Sequence, residues 1–465
     1  MRDGIRAISG MRTGTGNLQA RKSLFLTLFQ CYLLLYIIAS LMGAFTFIPG
    51  FYYGPSILDY LALFTLLLCV PLDGDLPRRL AAVVPYALLI ALYYVMALLV
   101  SPFDSRDLLK QGLRNAMVLL TLAFAIPAAL QDRKALRDFS IMVQLAAIAM
   151  LVICVAEMKS RRVAEFLAQA GPLAIDELDY HAFRTGGLLR NPNDLATFFC
   201  ITFILSHWCP GFLKWAGRGS AVIGTYFSAS RGGAYLLIIC IIIYVYGSLR
   251  CGVPILPARY GRSMLTAAVL LFLLFAGYKA VGPKMISVKG ESGLSRGGRI
   301  MSLSAEGGVS GRLALLDHWL KVALDAPLYG KGLYSFQGGP YSPDAKRVRN
   351  LGSHNMWLML FGEVGLLGPL GFLIIVVLGL MRINRIPKRN MDRMVLTLLW
   401  IAFLFLSFKS HNQLEHRYQV IAMAMVQYLP LLIRRELPDP LGARRRPGTS
   451  TPIRSIPAGL LTGRP

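Results

Sequence analysis

Hydrophobic runs long enough to cross a membrane recur along the whole of this 465-residue chain. About twelve of them have the roughly 17 to 25 residues that span a hydrocarbon layer about 30 Å thick. They centre near residues 36, 63, 90, 121, 148, 200, 220, 241, 272, 367, 402 and 424. Because 55% of the residues are hydrophobic, an ordinary soluble domain is excluded. The sequence predicts an all-α, polytopic membrane protein with about twelve transmembrane helices.

Basic residues predict the orientation of these spans, because short loops rich in Lys and Arg stay on the cytoplasmic side of a membrane. With twelve spans, both termini lie inside, together with the loop residues Arg78, Arg79, Arg133, Lys134, Arg250 and Arg382 to Arg393. The seventh span, about Phe212 to Ser228, is the weakest because Lys214 and Arg218 lie near its start. It is retained because the charge pattern is self-consistent with twelve spans.

This topology divides the chain into three regions. Residues 1–20 and 436–465 are rich in Gly, Arg and Pro and are predicted to be disordered cytoplasmic tails. Residues 21–435 form one transmembrane domain. Two long segments of that domain fall outside, about residues 157–193 and about residues 281–353, and the second lies between the ninth and tenth spans. We expect chemistry in these segments.

The net charge of +25 is explained largely by cytoplasmic Lys and Arg, which anionic lipid headgroups attract. Membrane lipids are therefore expected partners, and nucleic acid is not. The outer segment 281–353 also holds many more basic residues than carboxylates, which indicates an anionic substrate.

Arg231 and His354 carry the strongest functional signal, and Arg312 adds to it. Arg231 stands between two hydrophobic runs, where a guanidinium is costly unless a cavity or partner accepts it, so it is expected to hold an anion. A structural partner such as a carboxylate or a helix carbonyl is the alternative. Arg312 begins a predicted helix, Arg312 to Leu324, where the helix dipole disfavours positive charge. His354 supplies a titratable imidazole where the chain re-enters a hydrophobic run.

Four polar stretches lie at the predicted outer boundary: Arg184 to Asp194, Ser230 to Gly233, Gly311-Arg312 with Trp319, and His354-Asn355 with Glu363. In this order they resemble the O-antigen ligase and polymerase family of bacterial membrane glycosyltransferases, over residues 184 to 372. The first 180 residues resemble it only as hydrophobic spans. The architecture that the family implies, twelve helices with a long outer loop between the ninth and tenth, agrees with the span count.

The resemblance implies transfer of a glycan from a polyprenyl diphosphate, such as undecaprenyl diphosphate, to an acceptor hydroxyl such as that of a lipid A core sugar. The resemblance also implies that the reaction takes place on the periplasmic face of the bacterial inner membrane, with neither a metal nor another cofactor. Arg231 and Arg312 match the family's functional arginines and are assigned to the diphosphate, which an arginine fork can grip at two oxygens. His354 matches the loop histidine and is assigned as the general base.

The remaining site residues have supporting roles in this interpretation. Arg184 matches a further basic position that binds the diphosphate, whereas Arg190 departs from the small or aromatic residue expected there. Asn193 and Asn355 are candidate supports, although Asn191 and Asn193 are equally explained as caps of the sixth span. Glu363 matches the family pattern but lies within a span, where it orients the histidine or pairs with an arginine.

Several alternatives stay open at this point. A polymerase that extends the lipid-linked chain uses similar residues and differs mainly in its acceptor. A transporter or flippase of a lipid-linked anion would also place charges within helices, although no internal repeat supports it. His411 and His416, with Glu415 between them, have a spacing that metals use, but we expect no metal there. The stretch Tyr329 to Phe336 is interpreted as either an aromatic sugar-binding surface or ordinary loop packing.

Overall fold

The computed structural model describes residues 24–43, 56–101, 106–160, 162–163, 166–167, 185–189, 191–253, 309–336, 353, 355–409 and 417–435. Every regular element in these ranges is helical, which confirms the predicted all-α class. The tails 1–20 and 436–465 lie outside the described residues. So do Arg184, Arg190, His354, His411 and His416, and the side chain of Arg312.

The helices follow one another in the order α1 (Leu24–Leu41), α2 (Ile57–Leu72), α3 (Leu76–Leu80), α4 (Val84–Val100), α5 (Arg106–Ala129), α6 (Arg133–Lys159), α7 (Pro192–Leu205), α8 (Gly211–Ser228), α9 (Arg231–Arg250), α10 (Val309–Leu324), α11 (Met356–Val364), α12 (Leu367–Asn384), α13 (Met391–Lys409) and α14 (Arg417–Arg435). Two 3₁₀ turns, Gly187–Leu189 and Ser206–Trp208, flank α7.

Six helices of the described part are long and apolar enough to cross a membrane: α1, α5, α6, α9, α12 and α13. Helices α2 and α4 are apolar but shorter, and α8, which carries Lys214 and Arg218, is not among the six. The finding supports a multi-pass membrane protein. The count of twelve spans stays a prediction, and its ninth span near residue 272 lies outside the described residues.

The centre of the bundle is formed by α7 and α14, which are buried on nearly all sides. Helix α7 packs against α6, α8, α9 and α13, and α14 packs against α4, α5, α12 and α13. Lipid tails are as hydrophobic as the surfaces of these helices, so close van der Waals packing, and not the hydrophobic effect, holds the helices together. Gly224 and Gly233 permit it, because a Cβ at either residue would overlap Phe199 or Ala196 of α7.

Polar contacts between helices concentrate at the two ends of the bundle. One end, here called the Arg231 end, joins the N-termini of α2, α7, α9 and α14. The other, the Asp392 end, contains Asp392 at the start of α13, which accepts hydrogen bonds from Trp208 (2.8 Å) and Arg133 (2.9 Å). Arg79 and Arg382, which are predicted for the cytoplasmic side, also lie at this second end. Arg79 binds Asp73, and Arg382 binds the carbonyl oxygen of Gln427.

Candidate functional site

Arg231 is the first residue of α9, directly after a tight reversal from α8. Ala229 adopts a left-handed conformation (φ 48°) between the two helices. Ser230 then caps α9, because its hydroxyl accepts a hydrogen bond from the Gly233 amide at 3.2 Å. The half-buried Arg231 therefore lies at a helix N-terminus, where backbone amides and the helix dipole also favour an anion.

Asn193 connects this helix end to α7. Its side-chain oxygen accepts a hydrogen bond from the Ser230 hydroxyl at 2.8 Å. Asn191 is the cap of α7, since its side chain accepts from the Asn193 amide at 2.9 Å. The cap interpretation is thus confirmed for Asn191, whereas the side chain of Asn193 links α7 to the residue that precedes Arg231.

The short turn before α7 is held by a carboxylate that sequence reasoning missed. Glu157, near the end of α6, accepts hydrogen bonds from two consecutive amides, those of Gly186 (3.2 Å) and Gly187 (2.9 Å). The available signal was an acidic residue at the end of a hydrophobic run. Arg184 and Arg190, which flank this turn, lie outside the described residues.

A buried ion pair ties α14 to α2 at the same end of the bundle. Arg417 donates to both carboxylate oxygens of Asp59, at 2.6 and 2.9 Å, and Asp59 is fully buried. The Tyr36 hydroxyl and the Ser56 amide also donate to this carboxylate, at 2.6 and 2.7 Å. Because the charge is paired and hydrogen-bonded on several sides, the cost of its burial is offset.

The residue after Arg417 extends this polar network to α7. The Tyr418 hydroxyl donates to Asp194 at 2.7 Å. Asp194 follows Asn193 directly, so α2, α14, α7 and α9 are joined by consecutive polar contacts at the Arg231 end. Sequence analysis missed Asp59, Arg417 and Tyr418; a lone aspartate within a hydrophobic run was the signal available for Asp59.

The predicted helix Arg312 to Leu324 is confirmed as part of α10, and Arg312 lies in its first turns. Trp319, fully buried on this helix, packs against Phe336 with ring centroids 4.9 Å apart. Phe336 in turn lies against Gly362 of α11, where a Cβ would overlap its ring. The helix that carries Arg312 is therefore anchored to α11.

Glu363, also on α11, holds the segment between these two helices. It is fully buried and accepts hydrogen bonds from the Tyr93 hydroxyl of α4 and from the Phe336 amide (3.2 Å). Gly365 follows with φ 69°, and a Cβ there would overlap the carbonyl oxygen of Leu328. These contacts give Glu363 an anchoring role that neither sequence interpretation anticipated.

The stretch Tyr329 to Phe336 is explained mainly by loop packing. Leu333, Tyr334 and Phe336 are buried, and Tyr334 accepts a hydrogen bond from Asn115 of α5 at 2.8 Å. Tyr329 remains exposed. The aromatic rings of this stretch therefore serve the interior more than a sugar-binding surface.

His354 precedes the residue that caps α11. Asn355 accepts a hydrogen bond from the Leu358 amide at 3.0 Å, so this predicted support residue is a helix cap. Trp357 then donates to Ser407, near the C-terminus of α13, at 3.0 Å. Gly247, near the end of α9, meets Met394, near the start of α13, so these two helices are antiparallel. The N-terminus of α11 therefore lies at the Arg231 end.

The structure thus bonds Asn193 to Ser230, the residue before Arg231, and places Asn355, the cap of α11, at the same end. Glu363 lies near the C-terminus of α11. Helix α10, with Arg312, packs on α11. Among the described residues, no group of three or more His, Cys, Asp or Glu side chains is placed to hold a metal ion.

One comparison with known proteins gave a match. Residues 219–373 match the model of a family described as O-antigen ligase. The match confirms the family resemblance from the second half of α8 to the first turns of α12, and it begins after the stretch Arg184 to Asp194. No curated protein and no solved structure showed significant similarity to the chain.

Proposed function

We propose, from the match of residues 219–373 to the O-antigen ligase family model, that this chain is a membrane ligase that transfers a glycan from polyprenyl diphosphate to an acceptor hydroxyl. The family match supports glycosyl transfer of the ligase or polymerase type, which needs a lipid-linked glycan donor and an acceptor. The observation that carries the proposal is the common position of the Arg231 helix start and the α11 start at one end of the bundle.

The donor diphosphate is assigned to Arg231, Arg312 and Arg184. Arg231 supports this assignment because its charge and the N-terminus of α9 attract the same anion. Arg312 lies in the first turns of α10, and this helix is anchored to α11 through Trp319 and Phe336. Two or three guanidiniums stabilise a diphosphate best when it leaves, because its negative charge is then greatest.

The acceptor hydroxyl is activated by His354 in this proposal. The imidazole takes the hydroxyl proton while the acceptor oxygen attacks the anomeric carbon. The bond between that carbon and the diphosphate oxygen breaks, and the carrier diphosphate leaves with the bonding electrons. Attack opposite the leaving group inverts the anomeric centre, and the step requires no metal ion or other cofactor.

The Arg231 end is assigned to the periplasmic face of the bacterial inner membrane. The support is the group of basic residues at the Asp392 end, where Arg79, Arg133 and Arg382 lie. Such residues favour the cytoplasmic side. The acceptor, for example a lipid A core sugar, then meets the lipid-linked donor outside the cytoplasm.

Deletion of the gene distinguishes the ligase from its alternatives. A strain that lacks a ligase accumulates long carrier-linked chains, whereas a strain that lacks a polymerase exports single repeat units. We expect long carrier-linked chains, measured by electrophoresis of extracted lipid-linked glycan. Movement of labelled carrier lipid across proteoliposomes without glycan transfer would instead identify a transporter.

Asn193 offers a test of how Arg231 is positioned. Asn193→Ala removes the hydrogen bond to Ser230, and a bond worth about 1 kcal/mol corresponds to a roughly fivefold lower transfer rate. The control is Asn390→Ala, because the Asn390 side chain also accepts one hydrogen bond at 2.8 Å, from the Asp392 amide, at the opposite end of the bundle. Equal losses in the two variants, measured with purified protein and defined substrates, would contradict the positioning role.

A further inference from the structure

Two cations of α8, Lys214 and Arg218, lie away from the Arg231 end and take no part in the proposed reaction. Arg218 is only 7% exposed, and its Nε donates to the Ser206 hydroxyl at 2.8 Å. Its guanidinium carbon is 4.2 Å from the centroid of the Tyr244 ring. Lys214, one helical turn earlier and half-buried, is also within hydrogen-bonding reach of the Tyr244 hydroxyl.

This pair has no compensating anion within the described part of the chain. Neither Lys214 nor Arg218 forms an ion pair there, and the buried Nη2 of Arg218 has no hydrogen-bond partner. The neighbouring carboxylate, Asp392, is occupied by Arg133, Trp208 and His207. Burying an arginine beside a second cation is costly unless an anion accepts their hydrogen bonds.

The surroundings indicate where such an anion comes from. Phe212, in the first turn of α8, is 83% exposed, and the site belongs to the Asp392 end of the bundle. An exposed aromatic ring and a half-buried lysine in the first turn of one helix are typical of the zone where lipid headgroups meet a protein. Lys214 is nearer than Arg218 to the start of the helix, so an incoming headgroup would reach Lys214 first.

We propose that Lys214 and Arg218 bind the phosphate group of an anionic membrane lipid at the Asp392 end. Lys214 supplies a compact charge at the entrance, and Arg218 supplies the buried Nη2 donor and a planar fork behind it. The site is separate from the proposed diphosphate site, because Arg218 and Ser228 are about 15 Å apart along α8 at 1.5 Å per residue. A bound lipid would tie α8 to the 3₁₀ turn that holds Ser206 and to α9, on which Tyr244 lies.

Thermal unfolding of the full-length protein in detergent tests this site. The probes are phosphatidylglycerol, phosphatidylcholine and inorganic phosphate, each titrated into wild type, Lys214→Gln and Arg250→Gln. We expect phosphatidylglycerol to raise the Tm of the wild type, and the apparent affinity to fall about fivefold in Lys214→Gln. Arg250→Gln removes an exposed cation at the same end of the bundle and should respond like the wild type.

Three results would overturn the proposal. The first is an equal response to the anionic and the zwitterionic lipid. The second is a wild-type response of the Lys214→Gln variant. Because Lys214 is half-buried, the protein should tolerate its replacement better than a change at the buried Arg218. The third is an equal response to inorganic phosphate, which would assign the site to a free anion. Because the readout is binding rather than transfer, these results are independent of the proposed function.

Discussion

Arg231→Gln is expected to lower the rate of glycan transfer by about 10²- to 10³-fold, the effect of removing a charged group that stabilises a leaving diphosphate. Glutamine keeps hydrogen-bonding atoms but is shorter, and it loses the charge and the two-point grip on phosphate. The fall should appear mainly in kcat, because the interaction strengthens as the diphosphate leaves. The measurement uses purified protein, a defined lipid-linked donor and an acceptor.

The matched control for this variant is Arg250→Gln. Arg250 ends the same helix that Arg231 begins, and it is exposed at the opposite end of the bundle. We expect Arg250→Gln to transfer at the wild-type rate. Arg231→Lys should recover part of the lost activity, because it restores charge without the fork. A wild-type rate in Arg231→Gln would remove Arg231 from the diphosphate site.

His354→Ala is expected to reduce transfer by about 10²- to 10⁴-fold, the usual contribution of a general base. Only the neutral imidazole can accept the hydroxyl proton, so wild-type activity should fall as the pH drops through the pKa of His354. A histidine ordinarily titrates near pH 6.5. This acid limb should be absent from the residual activity of His354→Ala, and the pH profile of initial rates measures it.

His207→Gln serves as the comparison for His354. His207 contacts Asp392 (3.4 Å) at the opposite end of the bundle, and burial lowers its pKa although Asp392 favours the charged form. We expect its replacement to leave the acid limb unchanged, with thermal unfolding used to confirm that the protein is folded. If the limb persists in His354→Ala, another group is the base.

Part of the candidate site was predictable from charged residues, because placing a charge within a hydrophobic segment is energetically costly. A guanidinium between two hydrophobic runs singled out Arg231, and the family motifs added Asn193 and Glu363. The structure gave the last two more specific roles. Asn193 bonds to the cap of α9, and Glu363 anchors the segment that ends at Phe336. Such roles depend on partners 37 and 27 residues away, which no local pattern identifies.

The polar network at the Arg231 end was missed for the same reason. Asp59 and Arg417 are 358 residues apart and form one buried ion pair. Tyr418 and Asp194 are separated by 224 residues. Asp59 alone offered a signal, as an aspartate within a hydrophobic run, but its partner Arg417 could not be identified from the sequence.

The sequence alone determined the helical class, the membrane character and the residue types suited to a lipid diphosphate. Those properties follow from hydrophobic run length, charge and chemical group, all of which are local. Tertiary structure decided which helix ends share one end of the bundle and which carboxylates are already paired. It also placed the half-buried Lys214 beside the buried Arg218 with no carboxylate partner among the described residues. These outcomes depend on how helices distant in the chain pack, because pairing and burial are set by neighbours in space.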